Sequence, residues 1–184
     1  MVADVLKITE SKKEIQHLAR AFKAQQKAFQ HNTMPSLDTR LEALLRLKKA
    51  LLENQERFIE AINADFTSRS RDETLLAEFM PAIQGINYAM KNLKKWMKPS
   101  IRHASLLFMP ADNRIIYQPK GVVGIIVPWN YPLNLAVGPL TAALAAGNRV
   151  MIKMSEFTPQ TSDLFQELIS NTFTEDLVTV ITGE

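Results

Sequence analysis

The chain has 184 residues and a formal net charge of +3 at pH 7. Its 46% apolar and 22% charged residues are typical of a globular protein, which excludes a wholly disordered or low-complexity chain. No apolar run reaches the roughly 18 residues that a membrane span needs. The charged start MVADVLKITESKKE lacks the apolar core of a secretion signal, so we expect a cytoplasmic protein.

The scarcity of two residue types limits the chemistry that this chain can perform. Cysteine is absent, which excludes disulfides, thiolate metal sites and a cysteine nucleophile on the chain. The histidines, His17, His31 and His103, are scattered and lack the i, i+4 spacing of a metal site on a helix. We therefore expect no metal centre.

Residues 1–99 are predicted to form a helical segment. The capping-box pattern S-x-x-E at residues 11–14 predicts the start of one helix. Apolar residues at helical spacing over 36–62 predict a single amphipathic helix of about 27 residues. A second capping box at residues 70–73 begins a third helix, in which Pro81 predicts a kink or a break.

Residues 100–120 are predicted to form a short β hairpin. Two β-leaning runs, 101–109 and 113–118, flank the turn sequence Pro-Ala-Asp at residues 110–112.

The hairpin lies in a basic stretch, because residues 91–120 contain seven basic side chains and one acidic side chain. One interpretation is a nucleic-acid patch in which Trp96 and Tyr117 stack on bases. We prefer a solvated helix face that leads into the hairpin, because charged stretches of this kind are common on protein surfaces. We therefore expect no nucleic-acid partner.

Residues 121–181 alternate between predicted strands and helices. In chain order these are strand 121–127, helix 132–146, strand 149–153, helix 159–172 and strand 177–181. The strands are apolar on both faces, as in a sheet that is covered on both sides. A β-α-β-α-β order favours a parallel sheet with right-handed crossovers, one half of a doubly wound, Rossmann-like fold. The fold class is therefore α/β, with 121–184 as a partial nucleotide-binding domain.

The ends of these elements carry further signals. Gly147-Asn148 predicts a helix C-cap, and Thr158 followed by Pro159 predicts an N-cap. Ligands of such folds bind beyond the carboxyl ends of the strands, where the sequence places residues 128–130, 153–156 and 182–184. The fingerprint G-x-G-x-x-G is missing after the first strand, so these features alone do not identify the ligand.

The run 121–156 reads GVVGIIVPWNYPLNLAVGPLTAALAAGNRVMIKMSE. Its P-W-N-Y-P, A-L-A-A-G-N and K-x-S-E motifs, at their spacing, closely resemble the aldehyde dehydrogenase superfamily. The lead-in sequences SRDETLLAEF and LKKWMKP are similar to the dimeric class that acts on fatty and aromatic aldehydes. Within that class the chain is most similar to coniferyl aldehyde dehydrogenases.

The resemblance implies roles for the residues that follow the first strand. Asn130 matches the asparagine whose side-chain amide helps to form the oxyanion hole. The structural alternative is a turn asparagine without a catalytic role. Ile126, Val127, Pro128 and Trp129 match the backbone and apolar wall along the cofactor.

A second set of implied roles follows the next strand. Lys153 and Glu156 match the pair that contacts the adenosine ribose, with Ser155 beside them. A carboxylate near the 2′ position disfavours a 2′-phosphate and a lysine favours it. We therefore expect NAD as the first cofactor, with NADP tolerated. Met154 stands where the family usually has proline, which predicts a less rigid loop.

The resemblance also implies a longer enzyme, well over twice this length. The family's Gly-Ser-Thr cofactor loop, general-base glutamate and nucleophilic cysteine lie beyond residue 184, so the chain is interpreted as an amino-terminal fragment of an incomplete aldehyde dehydrogenase fold. The complete enzyme would be a homodimer that oxidises an aromatic or aliphatic aldehyde, with 100–120 as oligomerisation strands. The alternative is a non-catalytic remnant that only binds nucleotide or pairs with related subunits.

Overall fold

The computed structural model describes the backbone of residues 2–183 and the side chains of residues 15–183. The helices are α1 (Val2–His31), α2 (Leu37–Glu53), α3 (Gln55–Phe66), α4 (Arg71–Thr74), α5 (Met80–Trp96), α6 (Pro132–Ala145) and α7 (Pro159–Thr172). The strands are β1 (Ser100–Arg102), β2 (Asn113–Ile115), β3 (Val122–Ile126), β4 (Arg149–Lys153) and β5 (Val178–Ile181).

Two predicted boundaries in the helical segment are wrong. Helix α1 already begins at Val2 and runs through residues 11–14, so Ser11 does not start a helix. Leu, Lys and Glu, which precede it, are good helix formers and extend the helix upstream. The single helix predicted over 36–62 is divided at Asn54, whose side-chain Nδ2 donates to the Ala50 carbonyl at 2.9 Å. An asparagine side chain that donates to a carbonyl of its own helix competes with the backbone N–H donors that would continue the helix.

The third predicted helix begins directly after Ser70, as the capping box predicts, because the Ser70 hydroxyl accepts from the Glu73 amide at 3.1 Å. The irregularity expected from Pro81 takes the form of a π-helical turn at Leu75–Phe79, directly before α5. The wider turn places Pro81 in the first turn of α5, where its missing N–H leaves no hydrogen bond unmade.

The hairpin is shorter than the sequence predicts. Strands β1 and β2 pair antiparallel over three residues each, from Ser100 opposite Ile115 to Arg102 opposite Asn113. Residues Leu106–Phe108 form a 3-10 turn, and their side chains are exposed. A two-stranded ribbon with no third strand and no covered face is marginally stable, which explains its short ladder.

The parallel sheet confirms the predicted α/β architecture. Its order is β3-β4-β5, and the register places Ile126 opposite Lys153 and Lys153 opposite Ile181. Alternate residues such as Ile125 and Ile152 are buried in the core shared with α6 and α7. Because side chains alternate along a strand, Ile126 and Lys153 belong to the other face, where they and residues of α1 line an open recess.

One glycine of the crossover loop is required by the backbone. Gly147 ends α6 with φ of 84°, and its amide donates to the Leu144 carbonyl at 2.9 Å, which confirms the predicted C-cap. A Cβ at this position would lie 2.8 Å from Cζ of Arg40, whose Nη1 donates to the Ala145 carbonyl. The left-handed conformation disfavours any side chain here, and a Cβ would also displace the Arg40 guanidinium.

Candidate functional site

The carboxyl ends of the three parallel strands meet at one edge of the sheet. The Val127 amide donates to the Lys153 carbonyl at 2.9 Å, and the Met154 amide donates to the Ile181 carbonyl at 2.9 Å. These bonds continue the ladder one residue past β3 and β4. The structure therefore brings Val127 beside Lys153, and the segments 128–130 and 154–156 leave the sheet at the same carboxyl edge, as the sequence predicts.

The turn after β3 carries half of the predicted site residues. Pro128, Trp129 and Asn130 are exposed, whereas Val127 is buried. The Trp129 indole contacts the Phe66 ring with centroids 6.2 Å apart. No residue that the structure describes accepts or donates a hydrogen bond to the Asn130 side chain, so this amide is available to a ligand.

The segment after β4 holds the other predicted residues. Nζ of Lys153 donates to the Met154 carbonyl at 2.7 Å and lies 3.8 Å from Oε2 of Glu156, which is exposed. Ser155 is buried, and its hydroxyl accepts from the Phe157 amide at 3.2 Å. Lys153 and Glu156 therefore both reach solvent, while the buried Ser155 holds the turn between them through its bond to the Phe157 amide.

Met154 does not loosen this turn in the way expected from its replacement of proline. Its side chain is 1% exposed, and its amide makes the bond to β5 that a proline cannot make. The methionine therefore fixes the end of β4 both by packing and by a ladder hydrogen bond.

A buried glutamate supports the turn from below. Glu78 is fully buried and accepts from the Leu133 amide at 2.7 Å and from the Asn134 amide at 3.2 Å. Nη1 of Arg69 donates to the same carboxylate at 3.2 Å. Burial raises the pKa of Glu78, although the two amides and Arg69 oppose that rise.

Sequence reasoning missed Glu78, but a signal for it exists. Glu78 lies four residues before Ala82 and eight before Ile86, on the stripe that α5 buries. A carboxylate at a core position is rarely buried without a partner. The spacing therefore predicts a buried polar contact, although it does not reveal the partner.

Two cavities lie near these elements. An apolar cavity of about 300 Å³ between α1 and the sheet is lined by Ile126 and Lys153 together with Phe22 of α1. A larger cavity of about 730 Å³ lies between α5, α6 and the hairpin and contains none of the predicted site residues. The predicted site is thus an open edge with a small apolar recess behind it.

The described part of the chain contains no cluster of His, Asp or Glu side chains that could hold a metal ion. None of the helices between residues 2 and 183 is both long enough and apolar enough to cross a bilayer.

The β-α-β-α-β sheet, with an open asparagine and a Lys-Glu pair at its carboxyl edge, has the architecture of one half of a doubly wound α/β fold. Residues 3–184 match the aldehyde dehydrogenase family, and the chain belongs to this family. A probable coniferyl aldehyde dehydrogenase of Pseudomonas aeruginosa is 53% identical over 184 residues, which are 100% of this chain and 39% of that relative. The coniferyl aldehyde dehydrogenase of Pseudomonas sp. strain HR199 is 41% identical, over 92% of this chain and 35% of the relative.

A solved structure supports the same assignment. Staphylococcus aureus AldH in its substrate-bound state superimposes with a TM-score of 0.87 and 32% identity. The match covers 91% of this chain and 36% of that chain. The present chain therefore spans little more than a third of the length of these three proteins.

Proposed function

We propose that this chain supplies the oxyanion donor and part of the cofactor site of an NAD(P)-dependent aldehyde dehydrogenase. The observation that carries the proposal is the open side-chain amide of Asn130 at the end of β3, at the same sheet edge as Lys153 and Glu156. These groups have the chemistry that a nucleotide and a developing oxyanion require.

Asn130 would act on the aldehyde oxygen. When a nucleophile attacks an aldehyde, the carbonyl oxygen gains negative charge, and a fixed amide N–H stabilises that charge. One such donor is typically worth about 3 kcal/mol of barrier. The turn is followed directly by a helix with Pro132 at its first position, so the backbone around Asn130 is restricted before any substrate arrives.

Lys153 and Glu156 would hold the cofactor, and their chemistry fits a ribose. The carboxylate can accept from two vicinal hydroxyls, and the ammonium can donate to a hydroxyl or neutralise a phosphate. The bound nicotinamide would supply the hydride acceptor of the oxidation. We propose NAD as the cofactor, because Glu156 is exposed on this edge and opposes a 2′-phosphate, with NADP tolerated through Lys153.

The names of two relatives suggest the substrate. Both Pseudomonas proteins are named for coniferyl aldehyde, and we propose an aromatic aldehyde of this kind for the complete enzyme. The product would be the carboxylic acid.

We further propose that the complete enzyme is cytoplasmic.

A second candidate function is subunit pairing without catalysis. The tip of the hairpin exposes Leu106, Leu107 and Phe108, with 86%, 91% and 69% of their surfaces accessible. Adjacent exposed apolar residues of this size are typical of an interaction surface. The chain contains no cysteine, so we expect no aldehyde oxidation by the 184-residue chain alone. We propose that, in this second candidate, the hairpin pairs the chain with a related subunit. In the complete enzyme the same hairpin would join two subunits as a homodimer.

The test compares wild type with Asn130→Ala in a catalytically complete enzyme that contains this chain. We expect a loss of about 10²–10³ in kcat, with NAD affinity nearly unchanged. Rapid-mixing kinetics would measure acylation, and calorimetry would measure cofactor binding. Asn87→Ala, at an exposed asparagine of α5, is the matched control. A loss confined to NAD affinity would assign Asn130 to the cofactor instead.

A further inference from the structure

The backbone that follows Asn130 presents amides without a partner in their own helix. Helix α6 begins at Pro132, and its preceding residue, Tyr131, makes no side-chain cap. The first amides of any helix lack an intrahelical acceptor. Proline removes one of them, which leaves Leu133 and Asn134 as the first donors after the Asn130 turn.

Glu78 satisfies both donors from a different helical segment. Its carboxylate accepts from Leu133 and Asn134 across 55 and 56 positions of sequence. A charged acceptor at a helix amino terminus also interacts favourably with the helix dipole. The contact ties α6 to the π-helical turn before α5 and holds the first turn of α6, which begins directly after Tyr131.

Arg69 neutralises the Glu78 carboxylate and also contacts the aromatic residues next to the turn. Its guanidinium bonds to Glu78, and its side chain is 10% exposed. The same group lies 3.8 Å from the centre of the Phe66 ring and 4.9 Å from the centre of the Tyr131 ring. A guanidinium that lies over two aromatic rings gains cation–π attraction from each, which restricts its position.

The support reaches both neighbours of Asn130. Arg69 covers Tyr131 on the carboxyl side, and the Phe66 ring that Arg69 also covers contacts Trp129 on the amino side. We propose that Glu78 and Arg69 are positioning residues that fix the Trp129–Asn130–Tyr131 turn through the α6 amides and this aromatic cluster. The catalytic consequence rests on the proposed function of Asn130.

Hydrogen exchange tests the structural part in the 184-residue chain itself. We expect Glu78→Gln to speed exchange of the Leu133 and Asn134 amides about tenfold, because a neutral amide is a weaker acceptor and can serve fewer donors. Glu73→Gln is the matched control. Glu73 also lies near Arg69, with its Oε1 3.6 Å from Nε, but it does not contact α6.

Arg69→Lys is the second variant and keeps the charge without the planar stack. We expect a smaller but measurable increase in the exchange rate of the same two amides. We also expect a shift in the fluorescence emission of Trp129, recorded in a Trp96→Phe background. If Glu78→Gln fails to fold, Arg69→Lys still decides the proposal. Exchange that rises equally in the sheet amides, or not at all at Leu133 and Asn134, would overturn it.

Kinetics of a complete enzyme containing this chain test the catalytic part. We expect Glu78→Gln to lower kcat about tenfold without changing the KM for NAD, and to have little further effect in the Asn130→Ala background. If Asn130→Ala slows acylation and Glu78→Gln does not, the positioning role is wrong. If Asn130→Ala leaves kcat unchanged, the proposed function fails, and the exchange data still decide whether Glu78 and Arg69 hold the turn.

Discussion

The Asp65 carboxylate accepts a hydrogen bond from the Thr161 amide at 2.8 Å, across 96 positions of sequence. Its other oxygen accepts from the Gln160 amide at 3.0 Å. The Thr161 hydroxyl donates at 2.6 Å to the same carboxylate oxygen that accepts from the Thr161 amide. The last turn of α3 therefore caps the first turn of α7. Thr158, which the sequence predicts as the N-cap, makes no side-chain cap.

Removing this cap should destabilise the chain. We expect Asp65→Ala to lower the free energy of unfolding by about 1–2 kcal/mol, because two helix amides lose their acceptor. Thr158→Val is the comparison, since it removes the hydroxyl of the predicted cap but keeps the shape. Urea unfolding followed by circular dichroism would measure both variants. A larger loss for Thr158→Val than for Asp65→Ala would return the capping role to Thr158.

Local sequence signals predicted the sheet well and the caps only in part. Strand β4 and the start of α6 lie where the pattern places them, because apolar runs, proline and Gly147 act within a few residues. Asp65 and Glu78 act across much longer separations, and a single sequence does not show which helix end they meet. The division at Asn54 was missed because the apolar stripe continues across it.

The candidate site divides in the same way. Asn130, Lys153 and Glu156 lie in short motifs, so their resemblance to a family suggested both their identity and their common edge. Arg69 and Glu78 lie outside those motifs, and their contacts depend on how the helical segment packs against α6. A single sequence therefore suggests the motif residues as candidates. The residues that contact and support them are identified only from the three-dimensional structure.

The Lys153–Glu156 pair should set cofactor preference in a complete enzyme. We expect Glu156→Gln to shift preference toward NADP, because it removes a negative charge that would face the 2′-phosphate. Lys153→Ala should weaken both cofactors, and NADP more strongly. Titrations of each variant with NAD and NADP would measure the ratio of dissociation constants, with Glu167→Gln on α7 as a control carboxylate. Equal effects of both substitutions on both cofactors would contradict the assignment.

Glu78 should also make stability depend on pH. Burial raises the pKa of its carboxyl in the folded chain above the ordinary value of 4.5, so the folded state binds the proton more tightly than the unfolded state. The stabilising contribution is fully present below pH 4.5 and is lost as the pH rises through the folded-state pKa. Wild type should therefore lose stability relative to Glu78→Gln as the pH rises from 4.5.

The measurement is urea unfolding of wild type and Glu78→Gln over a series of pH values above 4.5. Taking the difference removes the titration of groups common to both proteins. Glu73→Gln, at an exposed glutamate, should run parallel to wild type over the same range. A wild-type advantage that grows with rising pH would show that the amides and Arg69 outweigh burial.

The free edge of β3 should cause self-association of the 184-residue chain. Among the strands that the structure describes, β3 pairs with β4 alone, so its other edge is open. Ile126 on this strand is 86% exposed. An open, apolar strand edge is a template for pairing with a second chain. We expect association that rises with concentration, and weak NAD binding while the edge is unpartnered.

A charge on that strand should oppose the association. We expect Ile126→Lys to shift the chain toward the monomer, as measured by size-exclusion chromatography with light scattering. Leu45→Lys, at a site on α2 that is 55% exposed, should leave association unchanged. Leu107→Lys distinguishes the other exposed apolar surface, at the tip of the hairpin. If Leu107→Lys restores the monomer and Ile126→Lys does not, the hairpin rather than the sheet edge joins the chains.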